Sequence, residues 1–206
     1  MKGVFDMITC NDIRAFLDQN YNYTDTLSNL SNNEQIKSAQ IAYDYDKIKG
    51  AIYREQCLSA DALLIKNNIN LIEFKTGFDS PDDTLSEQIK KENLKLSIRV
   101  KAYESLHLLQ TSIIEETKPN DQLAPNIKTV FCAVIDTNEP AVADETYVDI
   151  LSDEGGNREN KSFKAKIIEN ILSFYRKETD RHKKLFYDDA FVLYDYEFDS
   201  KVSVFK

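Results

Sequence analysis

Asp61, Glu73 and Lys75 are the residues of this chain whose types and spacing could do chemistry. They stand in the stretch Ser59-Ala60-Asp61-Ala62-Leu63-Leu64-Ile65-Lys66-Asn67-Asn68-Ile69-Asn70-Leu71-Ile72-Glu73-Phe74-Lys75, in which two apolar runs flank an Asn-Asn turn. A charge in a strand that is to be buried is costly unless it is paired or used. Two carboxylates offer the hard oxygen ligands that Mg²⁺ prefers. Such an ion neutralises a phosphate and lowers the pKa of a bound water. A neighbouring ammonium orders the nucleophile and stabilises developing charge. These groups are the minimum equipment for cutting a phosphodiester. The competing reading is a surface hairpin with an Asp61–Lys75 cross-strand ion pair, which is worth little.

The register of the hairpin decides whether the three charges meet. Successive strand side chains alternate faces, so Asp61, Leu63 and Ile65 share one face, as do Leu71, Glu73 and Lys75. A three-residue loop of Asn67, Asn68 and Ile69 pairs Lys66 with Asn70 and sets Asp61 opposite Lys75. All three charges then lie on one side. A two-residue Asn67-Asn68 turn pairs Asp61 with Phe74 and splits the set.

Around the hairpin, the pattern predicts helices at Asn11–Gln19 and Glu34–Ala42, with a polar loop at Asn20–Asn33 between them. Tyr43 to Asp46 is ambiguous between helix end and strand start. A turn at Gly77–Asp83 precedes a long helix at Thr84–Glu116, supported by apolar Leu85, Ile89, Leu96 and Val100. A loop at Thr117–Asn126 leads to Thr129–Ile135, whose continuous apolar run suits a central strand buried on both faces. A short strand is expected at Tyr147–Leu151, a loop at Asp153–Asn160 and a helix at Ser162–Arg181. Val192 to Asp199 alternates apolar and acidic residues and reads as a strand with one wet face.

The order helix, Asp-bearing hairpin with Glu-x-Lys, long helix and buried strand resembles the PD-(D/E)XK nuclease superfamily over about Glu34 to Ile135. The resemblance implies a restriction-endonuclease-like α/β core, a small mixed sheet flanked by helices. It implies that Asp61 and Glu73 hold Mg²⁺ (or Mn²⁺) together with the backbone carbonyl of Phe74, and that Lys75 positions or activates the attacking water. The family often has proline before the aspartate; this chain has Ala60. Many members carry a further acid on the first helix, for which Glu34, Asp44, Asp46 and Glu55 are candidates, Glu55 by its closeness to the hairpin and Glu34 by its predicted helix.

On the long helix, Lys91, Lys95 and Arg99 are four apart and form a basic stripe that could contact a phosphate backbone, with Lys101 and Gln88 as weaker candidates. A solvated face balanced by Glu87, Glu92 and Glu104 is the plainer reading of the same residues.

The expected organisation is one domain over 1–206: an N-terminal segment (1–33), a nuclease-like core (34–137) and a C-terminal helix and strand extension (138–206). An apolar fraction of 42% supports a core, and no apolar run suffices to span a bilayer. No secretion signal is read at Met1-Lys2-Gly3, and three scattered cysteines (Cys10, Cys57, Cys132) suggest reduced thiols in a cytoplasmic protein. The net charge of −9 argues against a nonspecific nucleic-acid coat protein but leaves a nuclease open. Five glycines include no P-loop or dinucleotide fingerprint. Of two histidines, His107 is expected in or at the core and His182 in solvent, and neither suggests a nucleophilic triad.

The expectation is metal-dependent hydrolysis of DNA or RNA, with restriction, repair, mobile-element or phage-defence systems as the setting the resemblance implies. The alternative is an inactive nuclease-like fold that binds a basic protein through the acidic strand Leu193–Asp199. A structural protein of a phage or mobile element is a further possibility.

Overall fold

The computed structural model of the chain describes residues 7–53, 57–75, 86–119, 121–135, 176–202 and 205; side chains of its long helix are described from residue 97 onward. The chain is α/β, with a six-stranded mixed sheet between helices. Its strands are β2 (Thr24–Thr26), β3 (Ile41–Asp44), β4 (Ala62–Ile65), β5 (Ile69–Lys75), β7 (Thr129–Ile135) and β8 (Asp189–Tyr194), in spatial order β2-β3-β4-β5-β7-β8. From β2 to β5 each strand runs antiparallel to the next, whereas β5, β7 and β8 are mutually parallel. A separate parallel pair joins β1 (Met7–Ile8) to β6 (Gln122–Leu123). Residues 189–201 therefore supply an edge strand and a covering helix of the same sheet.

Parallel strands need a crossover, and the helix between β5 and β7 supplies it. This helix, α4 (Ser86–Leu108), continues as a π-helical stretch Leu109–Ile114 and a last turn α5 (Glu115–Thr117). Helix α4 packs Ile98, Ala102 and Leu106 on one sheet face, together with α1 (Cys10–Asn20) and α3 (Tyr45–Tyr53). Helices α2 (Leu27–Ser31) and α7 (Asp195–Lys201) cover the other face, where Ala62, Leu64, Ile72, Phe74 and Val134 point. β7 is buried on both faces, as its apolar run requires. Residues 176–185 form a further helix, α6.

Five expectations need correction. Glu34–Ala42 is not a helix: burial there alternates, with Ile36 and Ser38 inside and Lys37 and Ala39 exposed, and the chain enters β3 at Ile41. The helix begins at Tyr45, where Asp44 Oδ1 accepts from the Lys47 amide at 3.0 Å. The polar stretch Asn20–Asn33, read as loop, contains β2 and α2, the latter capped by Thr26.

The hairpin loop is three residues long, but it is Lys66-Asn67-Asn68, with Ile65 paired to Ile69. Asn68 drives this choice: its backbone carbonyl accepts from the Lys66 amide at 3.0 Å and its side chain from the Lys128 amide at 3.1 Å. Moving the loop by one residue while keeping its length preserves face parity.

Val192–Asp199 is not one strand. β8 ends at Tyr194 and α7 follows, because a helical turn buries Asp195 and Phe198 together, Phe198 meeting the Phe74 ring at 5.6 Å. The histidines exchange their expected places. His107 is exposed and stacks on Tyr103, whereas His182 is buried against Phe131 and neither ring nitrogen has a hydrogen-bond partner. Expected elements at Tyr147–Leu151, Asp153–Asn160 and 162–175 lie outside the described residues. Among the described residues no helix is long and apolar enough to cross a membrane.

Candidate functional site

Asp61, Glu73 and Lys75 come together at one end of the β4–β5 hairpin, on the face covered by α3 and α4. Asp61 immediately precedes β4. Its amide donates to the Ile72 carbonyl at 3.0 Å, and its Oδ2 accepts from the Phe74 amide at 2.6 Å. These bonds turn the carboxylate toward the part of β5 that outruns β4. Asp61 is thus beside Glu73 and not opposite Lys75 as the expected register had it. Glu73 is fully buried, and Lys75 Nζ lies 2.5 Å from its Oε1.

The fourth member is Lys101. Its Nζ lies 2.8 Å from Glu73 Oε1, 2.9 Å from Oε2 and 3.5 Å from Asp61 Oδ1. One ammonium therefore touches both carboxylates. The sequence analysis placed Lys101 among weaker phosphate contacts, but a sharper signal was present. Ile98, Ala102 and Ser105 are buried, and Lys101 is three residues after the first and four before the last, so it projects from the apolar side of its helix. A lysine there needs an acidic partner. Ser105 fixes the helix over the site: its Oγ accepts from the buried Ala60 amide at 2.7 Å, and its carbonyl accepts from Tyr45 Oη at 2.9 Å.

Burial, reinforced by the Asp61 carboxylate, pushes the Glu73 carboxyl up to about 7. Burial also raises Asp61, against the pull of Lys101 and the Phe74 amide. Burial opposes charge on Lys101 too, yet Glu73 and Asp61 outweigh it and hold the ammonium above its ordinary value. Carboxyls perturbed by burial beside specific charged partners mark functional sites more often than ordinary surface pairs do.

The candidates for a further acid separate clearly. Glu34 is exposed, in the turn before Ile36, whose side chain enters the core on the opposite sheet face. Asp44 pairs with Lys47 at 2.8 Å. Asp46, in the first turn of α3, accepts from Ser59 Oγ at 2.6 Å and Lys49 Nζ at 2.9 Å. Its charge also acts on both Asp61 and Lys101, which makes it the candidate acid nearest in effect to the cluster. Glu55 lies outside the described residues.

Of the basic stripe, Arg99 alone has a described side chain. Arg99 makes a two-pronged bond to Glu178, at 2.5 and 2.7 Å. Lys91 and Lys95 are on α4, and their side chains lie outside the described residues. The acidic C-terminal residues are likewise engaged: Asp195 accepts from Asn33 Nδ2 at 3.2 Å, Asp199 from the Lys37 amide at 2.7 Å, and Glu197 pairs with Lys201 at 2.9 Å. The one-sided acidic strand expected to meet a basic partner is therefore absent.

The donor set fits a hard divalent cation. Two carboxylates already converge on one positive centre, and the buried Glu73 Oε1, despite two nearby ammonium groups, has no hydrogen bond of good geometry. A strand residue directs its amide and carbonyl to the same edge, so the Phe74 carbonyl faces the Asp61 side, as its amide does. Among the described residues no three His, Cys, Asp or Glu side chains converge. Mg²⁺ tolerates this, because it is commonly held by one or two carboxylates and keeps several waters. The cavity lined by Thr9, Arg14, Lys66, Asn67 and Asn126 is at the opposite, loop end of the hairpin and contains none of these groups. The chain matches no protein-family model, no curated protein and no solved structure.

Proposed function

We propose that the chain is a Mg²⁺- or Mn²⁺-dependent nuclease that hydrolyses phosphodiester bonds in DNA or RNA. The observation that carries this reading is the convergence of Asp61 and Glu73 on one cationic point beside Lys75, at a fully buried carboxylate. Asp61, Glu73 and the Phe74 carbonyl would hold the ion. Bound there, it supplies charge neutralisation of the phosphate and a more acidic water. Lys75, anchored by Glu73, orients the attacking water and offsets the negative charge that builds on the phosphate oxygens. Burial of Glu73 keeps that end of the site free of competing water and strengthens each of these interactions. A bacterial or phage defence, repair or mobile-element system is the setting consistent with a small nuclease of this kind.

The competing reading is an inactive nuclease-like fold that serves as an interaction subunit. It draws on the meeting of two acids rather than three among the described residues. Its other support, an acidic strand, is replaced by a helix whose acids are internally paired.

The test is cleavage of single- and double-stranded DNA and RNA with Mg²⁺ or Mn²⁺, comparing wild type with Asp61→Ala and Lys75→Ala. Metal-dependent cleavage lost in both variants establishes the reading and identifies the substrate. Folded wild type that cuts none of the four substrates favours the interaction subunit.

A further inference from the structure

Lys101 occupies the place in the cluster where a cation is wanted. Its Nζ contacts both Glu73 oxygens and Asp61 Oδ1, within 3.5 Å of each. Asp61 and Glu73 contribute two negative charges, and Lys75 and Lys101 contribute two positive ones. The metal-free cluster is therefore neutral when all four are ionised. A divalent cation added to an unchanged cluster would meet two ammonium groups already seated on its ligands, and like charges at such distances repel strongly in a poorly solvated site. One ammonium has to leave.

The two lysines are unequal in this respect. Among the described residues Lys75 touches Glu73 alone, and it stands two residues along the same strand, on the same face. Lys101 bridges both ligands from a facing helix, at the end of a flexible four-carbon stem.

We infer that Lys101 is a built-in counter-ion that holds Asp61 and Glu73 together in the metal-free protein and is displaced when a divalent cation binds. It is a positioning residue whose departure sets the metal affinity. The inference rests on the metal-site reading proposed for Asp61 and Glu73. It explains how the buried Glu73 and half-buried Asp61 carboxylates stay close without an ion, and it predicts metal binding weaker than the ligand set alone would give.

Calorimetric titration with Mn²⁺ tests it on wild type, Lys101→Met and Asp61→Asn, each checked for folding by circular dichroism. Lys101→Met is expected to bind Mn²⁺ at least about tenfold more tightly than wild type, with Asp61→Asn binding little or none. A purely structural lysine would not produce tighter binding on removal. Equal or weaker binding by folded Lys101→Met, with wild-type binding intact, overturns the counter-ion role and leaves the metal site standing. Absence of Mn²⁺ binding in every folded form overturns both.

A wild-type measurement covers the case in which Lys101→Met does not fold. Acylation of Lys101 by an amine-reactive ester, read by peptide mass spectrometry, should rise on adding saturating Mn²⁺ as the ammonium leaves its two carboxylates. Unchanged labelling under conditions where Mn²⁺ demonstrably binds overturns the displacement.

Discussion

Glu73 and Glu178 are both buried carboxylates served by basic residues from α4, and they are treated in opposite ways. Glu178 receives the Arg99 guanidinium squarely, one nitrogen to each oxygen, and this bond holds its carboxyl below the ordinary value. The Arg99 side chain remains 44% exposed, so only one partner is buried. Glu73 is fully buried with two ammonium groups, but it also faces Asp61, and one of its oxygens lacks a well-formed hydrogen bond. Its carboxyl is pushed up to about 7. A planar guanidinium satisfies a carboxylate geometrically, whereas point-like ammonium groups only neutralise it. The first arrangement suits a fixed link between α4 and α6. The second neutralises Glu73 without matching its geometry.

The largest effect that separates the two is on activity. Glu73→Gln is expected to lower metal-dependent cleavage by about a thousandfold or more, since it removes a ligand and the anchor of Lys75. Arg99→Ala, assayed beside it below its unfolding temperature, should retain activity within about tenfold. Comparable losses in the two variants would break the contrast.

Next comes the pH dependence of stability in the metal-free protein. Glu73 keeps its proton in the folded chain up to about 7, whereas an ordinary glutamate loses it near 4.5. Between those values the folded state binds more protons than the unfolded state, so stability falls as pH rises. The expected fall is about 3 kcal/mol at most, and it levels off above the folded value. Glu178 works with the opposite sign: its contribution is present above the ordinary glutamate pKa and is lost as pH falls through its lowered folded value. Urea unfolding with a chelator, from about pH 4 to about pH 8, should show the descending limb in wild type and its loss in Glu73→Gln.

A smaller effect is expected on the structural side. Arg99→Ala should cost about 2 kcal/mol near neutral pH, because it strips a buried carboxylate of its main partner while Arg181 remains 3.7 Å away. Thermal unfolding of the variant checks this; an unchanged midpoint would show that Glu178 does not need the guanidinium.

The smallest is Ser105→Ala, expected to cost about 1 kcal/mol through the orphaned Ala60 amide. Chemical unfolding gives that number, and cleavage kinetics show whether the same bond also aligns Lys101 over the carboxylates.

Much of the fold was legible because its signals are local. The apolar run Thr129–Ile135 gave the central strand to the residue, and helical spacing gave α1 and the continuous helical stretch from α4 through α5 nearly to their ends. The candidate site was legible in part: Asp61, Glu73 and Lys75 break apolar strands, and such breaks are visible without a structure. Errors arose where distant contacts overrule local pattern. Glu34–Ala42 has helical composition, but Lys37 is held by Asp199 from the far end of the chain and the segment extends. The alternating Val192–Asp199 becomes helix after Tyr194 because Phe198 has a place against Phe74 and Phe205. His182 sits in a basic tetrapeptide and is nonetheless drawn inside beside Phe131.

The sequence by itself determined which residues could do chemistry and that an odd-length hairpin loop would put them on one face, because strand alternation depends only on parity. Only the tertiary structure decided that Asp61 sits beside Glu73, that Asp46 is the acid nearest in effect, and that Lys101 bridges the carboxylates. Those outcomes depend on how α3 and α4 pack over the sheet, through Tyr45, Ser105 and Ile98. Packing joins residues 40 positions apart at distances of a few ångströms, and no local periodicity encodes which of them will meet.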